Sequence, residues 1–167
     1  MKTYPSAATF PSSSTFPGDN GVIPPRSALA HLEAVAELIV PLGYAVYLVD
    51  VPVTPSLPYV LLWSSAGRLV ADAICDEQRD LDDLLGVTNV GGSPAAAMTV
   101  AGAVRAVLMD AEPDVAGWAS LLRLADSRAV EVDRDVKVPE LGRHPSYAVD
   151  IYRYRSTPIA ASEGMRA

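Results

Sequence analysis

The stretch LGVTNVGGSPAAAMTVAGAVRAVL, residues 85–108, decides the fold. Its first part has the apolar character typical of a strand, whereas the part after Pro94 is dense in alanine and repeats at helical spacing. One apolar stripe is predicted along that helix, made of Ala97, Val100, Val104, Val107 and Leu108. A strand that runs through two glycines into a helix predicts a sheet with a helix packed on it.

The corner between strand and helix raises the question of a phosphate-binding loop. A dinucleotide fingerprint requires G-x-G-x-x-G and a P-loop requires G-x-x-x-x-G-K-[ST], but here there is no third glycine and no lysine. Ser93 is a good N-cap and Pro94 stands at its preferred first helical position. Gly91 and Gly92 are expected to supply the positive φ values of a sharp turn. We interpret the stretch as a structural corner and expect no cofactor.

The elements on either side complete the predicted fold. A first helix is predicted after Pro24-Pro25, with its apolar face formed by Ala28, Leu32, Val35, Leu38 and Ile39, and Pro41 is expected to end it. Strands are predicted at 45–51, 59–63, 68–74, 84–90 and 147–155, with a hairpin of 121–126 and 129–138 around Ser127-Arg128. The order indicates an α+β fold: a single, mostly antiparallel or mixed sheet with two main helices packed against it, plus an extended N-terminal arm.

Three segments follow from composition: an arm at 1–24 rich in Ser and Pro, a domain at 25–158, and a flexible tail at 159–167. Thr-Phe-Pro occurs twice in the arm. Ordering each backbone residue costs about 1–2 kcal/mol, whereas burying Phe10 or Phe16 returns only about 1.5–3 kcal/mol each. We therefore expect the arm to be mobile in a lone monomer unless a neighbour pairs with its backbone, with Phe10 and Phe16 as anchors of a strand added to a neighbouring subunit or to another partner protein.

Charge and composition exclude several classes of function. The formal net charge of −7 leaves no broad basic face for a nucleic-acid backbone. The single cysteine, Cys75, excludes a disulfide framework and a multi-cysteine zinc site. The longest apolar stretch, 95–109, is too short to span a bilayer. We expect no membrane partner.

Two acidic groups are candidate metal or interface sites. The first, within the segment 72–83, includes Asp80, Asp82 and Asp83, but its register fails the pattern of a calcium loop. We interpret it as a solvated or intersubunit loop. The second comprises Glu131, Asp133 and Asp135, which a strand would place on one face. An exposed or interface ion-pair network with nearby basic residues is the favoured interpretation, and a metal-dependent hydrolytic site is the alternative.

The remaining candidates for chemistry are weak. His31 lies in the first helix and His144 in a distant loop, and no G-x-S-x-G motif accompanies them. Cys75 has acidic neighbours that disfavour its thiolate. In the last strand, Tyr152 and Tyr154 are expected on a packed face, and Arg153 and Arg155 on a solvent or partner face. We expect no catalytic residue, no bound metal and no enzymatic activity.

Four stretches together resemble the tail terminator proteins of long-tailed bacteriophages, especially those of actinobacterial phages. They are PYVLLW at 58–63, the 85–108 run, DVKVP at 135–139 and YAVDIYRYRSTP at 147–158. The resemblance covers roughly 28–158. It implies a virion protein that forms a hexameric ring on the head-proximal end of the tail tube, is assembled in the host cytoplasm, and works at the tail-neck junction.

The resemblance also implies partners. They are further copies of the chain, the tail tube protein, the head-to-tail stopper or neck protein, and DNA that passes non-specifically through the lumen during genome ejection. Small residues of the second helix, Ala96, Gly102 and Ala103, leave room for a packing partner, and we take them as interface candidates with the two acidic groups, the arm phenylalanines and the strand arginines. Another neck or head-completion ring protein, or a small cytosolic metal- or ligand-binding domain, are the alternatives.

Overall fold

The computed structural model describes residues 28–71, 80–138 and 142–159. The predicted arm, with Phe10 and Phe16, and Cys75 lie outside the described residues. Two α-helices and seven strands are present in the described part: α1 (Ala28–Ile39), β1 (Ala45–Leu48), β2 (Tyr59–Ser64), β3 (Arg68–Val70), β4 (Asp80–Gly91), α2 (Pro94–Leu108), β5 (Trp118–Ser127), β6 (Glu131–Val132) and β7 (Ser146–Pro158).

All seven strands form one sheet with the order β1-β2-β4-β7-β5. β3 pairs with β4, and β6 pairs with β7. Only β1 and β2 are parallel, and every other described pair is antiparallel. The predicted α+β fold with a single mixed sheet and two helices is confirmed.

The two longest strands, β4 and β7, form the centre of the sheet. They pair from Leu81 opposite Ser156 to Gly91 opposite Ser146. Along β7, Tyr152 and Tyr154 are buried and the alternating Arg153 and Arg155 are exposed, as the alternation of a strand predicts. The face that carries the buried tyrosines is called the inner face below, and the opposite one the outer face.

Both described helices pack on the inner face. α1 covers β1 and β2, and α2 covers β4 and β7. Their apolar stripes meet the inward residues of the strands in one core, which includes Val35, Ile39, Val60, Leu62, Leu85, Val87, Val100, Val104, Leu108, Leu122 and Tyr152. Burying each such side chain contributes about 1.5–3 kcal/mol. α1 ends where predicted, since Pro41 follows in a 3-10 turn and Gly43 adopts a left-handed φ of 79°.

The corner before α2 is built as predicted except for its glycines. The Ser93 hydroxyl accepts a hydrogen bond from the Ala96 amide at 3.2 Å, and Pro94 begins the helix. The described glycines with positive φ do not include Gly91 or Gly92, so that expectation was wrong. Gly91 is required for close approach instead, because a Cβ there would lie 2.5 Å from the Ala97 nitrogen.

The predicted hairpin around Ser127-Arg128 was also wrong. β5 and β6 do not pair with each other but lie one after the other along the same side of β7. A register shift between Leu124 and Asp126 bends β5, and the Arg128 amide still bonds the Val149 carbonyl at 2.8 Å. The polar residues that resembled a turn therefore belong to an irregular edge that continues along β7.

β4 begins at Asp80, four residues before the predicted start, and β3 ends at Val70 rather than at residue 74. Aspartate has a low strand propensity, which is why these positions read as loop. Arginines of the neighbouring strands compensate the charges, and tertiary pairing overrides the local preference.

Candidate interaction surfaces

The acid predicted to lie in a loop, Asp82, is clamped between two arginines on the outer face. Arg153 donates from Nε and Nη2 to the two carboxylate oxygens, both at 3.0 Å. Arg68 donates from Nη2 at 3.1 Å. The Arg153 hydrogen bond, more than the Arg68 one, lowers the pKa of Asp82, and Asp82 in turn raises the pKa of Arg153. One carboxylate shared by two guanidinium groups leaves an excess of positive charge toward solvent.

The other two acids of this segment that the structure describes, Asp80 and Asp83, are also engaged within the domain. Asp80 is buried and its Oδ2 accepts from Arg155 Nη2 at 3.3 Å. Asp83 accepts a hydrogen bond from the Ser65 hydroxyl at 2.6 Å. The interpretation as a solvated loop was wrong for Asp80–Asp83, because these residues lie in β4 and bond to neighbouring elements. Their role as intersubunit residues stays a prediction.

An exposed aromatic residue that sequence reasoning missed lies beside this ion cluster. The indole of Trp63 lies over Gly86 on the outer face, where a Cβ would come within 2.1 Å of it. Its Nε1 donates to Thr88 Oγ1 at 3.1 Å, which fixes the ring in one orientation. Trp63 is 40% exposed and Leu84 beside it 56%. A glycine inside a predicted strand was the available signal for a close approach, but it does not identify the residue that lies over it.

The solvent side of α2 is an uncharged surface. Gly102 is exposed and no heavy atom lies within 4 Å of where its Cβ would stand. Met98 and Met109 on the same side are 63% and 45% exposed. Ala96 and Ala103 are half-buried and flank this side. The small residues therefore leave open space as expected, and whether a partner fills it stays a prediction.

The second acidic group is not arranged as expected. Only Glu131 lies in a strand, and it accepts from the Tyr147 hydroxyl at 3.0 Å. Asp133 accepts from the backbone amides of Asp135 and Val136, so it caps its own turn. The three carboxylates do not line one strand face. Within the described ranges, no ion pair joins them to a basic residue, and no three His, Cys, Asp or Glu residues are grouped to hold a metal.

A buried polar cluster joins α1 to the sheet. His31 is buried, and its Nε2 lies 3.0 Å from the Ser156 hydroxyl, which lies 2.7 Å from that of Ser120. The imidazole makes edge contacts with Trp118 and Tyr154, both at 5.2 Å between ring centroids. The adjoining cavity has a volume of only about 10 Å³, which is enough for at most a water molecule. A histidine next to serines therefore has a structural role here, and His144 is far away, bonded to the Val136 carbonyl.

A second buried group, also missed, joins α2 to β7. Asp150 is fully buried and accepts from Arg105 Nε at 3.2 Å and from Nη2 at 2.6 Å. The pair raises the pKa of Arg105. Arg105 also donates to the Ser127 hydroxyl at 2.8 Å. Its position on the helix gave no sign of a partner 45 residues away.

Neither α1 nor α2 has the length and hydropathy to cross a bilayer. No family model matches the chain. No curated protein matches it either.

Solved structures with a similar fold include a chain of the virion of a native gene transfer agent particle. It is 20% identical, with a TM-score of 0.48 over 78% of this chain and 92% of that one. A second, known only by a sequence identifier, is 13% identical, with a TM-score of 0.49 over 80% of this chain and 94% of that one.

Proposed function

We propose that this chain is a structural virion protein of the tail-terminator type. In this proposal, copies of the chain form a ring that caps the head-proximal end of the tail tube, ends tube polymerisation and joins the tail to the neck. The DNA passes through the lumen of the ring. The protein has no catalytic activity in this role.

The observation that carries the proposal is the uncharged, exposed side of α2. Gly102 stands in open space between exposed methionines on a helix of 15 residues. A monomeric protein gains nothing from an apolar helix side in water, whereas a repeated subunit contact buries it. Close approach of another chain is possible there because the side chains are small.

The sequence resemblance supports the same proposal from another direction. Three of the four resembling stretches correspond to β2, to β4 with its corner and α2, and to β7. They are thus the centre of the sheet and the helix with the uncharged side. The fourth, 135–139, lies mainly in the irregular segment after β6.

The chemistry of the described residues favours assembly over catalysis. The buried polar groups Asp150 and His31 are bonded to neighbouring elements, and the cavity beside His31 holds at most a water molecule. The groove along the start of β5 is larger, about 440 Å³, and is lined by Glu112, Pro113, Asp114, Trp118, Ala119, Ser120 and Leu121. Its hydroxyl group, that of Ser120, is engaged with the Ser156 hydroxyl, and its carboxylates, Glu112 and Asp114, are exposed.

Light scattering and electron microscopy of the protein with tail tubes of its phage test the proposal. We expect a ring-sized species, either alone or when tubes are supplied, bound only at the head-proximal end of the tubes. Binding along the sides or at the distal tip would contradict the terminator role. Calorimetry with Mg²⁺, Mn²⁺, Ca²⁺ and Zn²⁺ is the control, because saturable binding lost in Asp133→Ala would favour the metal-binding alternative.

A further inference from the structure

Two exposed surfaces with partly apolar and partly charged side chains lie on opposite sides of the subunit. The first, called the sheet patch, consists of Trp63, Leu84, Arg68 and Arg153 on the outer face. The second, called the α1 stripe, consists of Leu29, Glu33 and Glu37 of α1 together with Val40, which begins the 3-10 turn directly after it. Its members recur every three or four residues and therefore share one side of the helix. Since α1 packs on the inner face, the stripe points away from the sheet patch.

Both surfaces expose large apolar side chains. Trp63 and Leu84 are 40% and 56% exposed, and Leu29 and Val40 are 53% and 58% exposed. The Trp63 ring is already fixed by Gly86 beneath it and by its hydrogen bond to Thr88. A preorganised tryptophan loses little side-chain entropy on binding, and such residues dominate the energy of protein interfaces.

The charges of the two surfaces are complementary. Arg68 and Arg153 share the single carboxylate of Asp82, and their side chains remain 74% and 61% exposed. The sheet patch therefore has excess positive charge. On the α1 stripe, Glu33 and Glu37 are exposed, and neither is paired with a basic residue of the described chain.

The dimensions also agree. Leu29 and Val40 are eleven residues apart, which is about 17 Å along a helix. The sheet patch extends along β4 from Gly86, under Trp63, to Asp82, opposite Arg68. These five residues span about 14 Å of a strand.

We propose that the α1 stripe of one copy of this chain docks on the sheet patch of the next copy. The inference rests on the proposed ring and names one contact between its subunits, in addition to the exposed side of α2. The two surfaces differ, so the contact is heterologous. A pair of subunits joined in this way keeps a free α1 stripe on one copy and a free sheet patch on the other. Repetition of such a contact closes a ring or extends a filament. Glu33 and Glu37, in the middle of the stripe, face Arg68 and Arg153, and Leu29 and Val40 at its two ends contact the apolar part of the sheet patch.

Paired charge reversals test this contact. The α1 variant carries Glu33→Arg and Glu37→Arg, and the sheet variant carries Arg68→Glu and Arg153→Glu. Oligomer mass is measured by light scattering over a concentration series up to about 1 mM. We expect the wild type to assemble and each variant alone to require at least about tenfold more protein, because like charges then face each other. An equimolar mixture of the two variants should recover assembly. When the two variants alternate around the ring, each reversed stripe meets a reversed patch and each unchanged stripe meets an unchanged patch, so every contact is again complementary in charge.

A matched control shows whether charge reversal affects assembly only on the two proposed surfaces. Glu112→Arg with Asp114→Arg reverses two exposed acids that lie on neither surface, and we expect wild-type assembly. Loss of Arg153 leaves Asp82 with one partner fewer, so the fold of the sheet variant is checked by thermal unfolding. If that variant does not fold, Leu84→Asp replaces it, because Leu84 is exposed and lies outside the ion cluster. Leu84→Asp alone should then lose assembly.

Three results would overturn the contact. They are a wild type that stays monomeric at about 1 mM, folded variants that assemble like the wild type, and a mixture of folded reversed variants that does not recover. Rings that persist in the variants and still cap tail tubes would reject this contact and leave the proposed function standing. Assembly that follows the charges, in a protein that never caps tubes, would reject the function and leave the contact standing.

Discussion

At the scale of single residues, the carboxylate of Asp150 is fully buried and needs Arg105 to stabilise its charge. Asp150→Asn removes the charge that receives two hydrogen bonds from Arg105 while the volume stays the same. We expect a loss of about 1–3 kcal/mol, less than for a fully buried pair, because Arg105 is 37% exposed and can reach water. Urea unfolding monitored by circular dichroism measures the difference.

Asp110→Asn is the matched control for that measurement. Asp110 lies 3.9 Å from Arg123, and both side chains are about 70% exposed. Asparagine tolerates the positive φ of 53° found there. We expect a change below about 0.5 kcal/mol. Equal losses in the two variants would show that burial of Asp150 does not determine its contribution.

The two buried tyrosines of β7 predict how stability depends on alkaline pH. Burial raises the pKa values of Tyr152 and Tyr154 from 10.0 to about 12. Since the folded state holds these protons more tightly, the stability present below pH 10 is lost as the pH rises toward 12, by at most about 2.7 kcal/mol for each tyrosine. The variant with Tyr152→Phe and Tyr154→Phe should lose less stability between pH 9 and 11 in parallel urea titrations. A wild type and variant with the same pH dependence would contradict this expectation.

At the scale of elements, the features that depend on neighbouring residues alone, such as the helices and their ends, were predicted from the sequence. Both helices were predicted near their observed bounds because apolar spacing, Pro41 and the Ser93 cap act within a few residues. The hairpin around Ser127-Arg128 was wrong because turn-like residues also occur in an irregular edge strand, and only pairing with β7 distinguishes the two. The sheet patch was missed for the same reason, since Trp63 and Gly86 meet only once the register of β2 and β4 is fixed.

The α2 helix carries a prediction that separates folding from assembly. Gly102→Leu places a strong helix former where no neighbour lies within 4 Å, so the monomer should gain about 0.5–1 kcal/mol. If another subunit packs on this side, the larger side chain should weaken assembly in light scattering. Gly102→Ala is the matched variant, because it gives a similar gain in helix stability with little added bulk and should still assemble. Parallel loss of folding and assembly in Gly102→Leu would show that this side belongs to the core.

At the scale of the whole molecule, one sheet separates two differently charged surfaces. The helices occupy the inner face, and the outer face displays the aromatic and arginine side chains of the sheet patch. A subunit with different surfaces on its two sides can repeat head to tail, and this asymmetry is what a ring requires. In the proposed ring, the net charge of −7 would limit non-specific adhesion of the subunits to passing DNA.

Removal of the N-terminal segment 1–24 tests whether that segment contributes to assembly of the subunits. Helices and sheet of the described domain share one core, so deletion of 1–24 should leave the midpoint of thermal unfolding of the monomer within about 2 °C. If Phe10 and Phe16 anchor the segment on a neighbouring copy, each contributes about 1.5–3 kcal/mol there. The protein concentration needed for assembly should then rise more than about tenfold. Phe10→Ala with Phe16→Ala in the full chain should reproduce most of that rise, and a lowered unfolding midpoint in the truncated monomer would place the phenylalanines in the core of their own subunit.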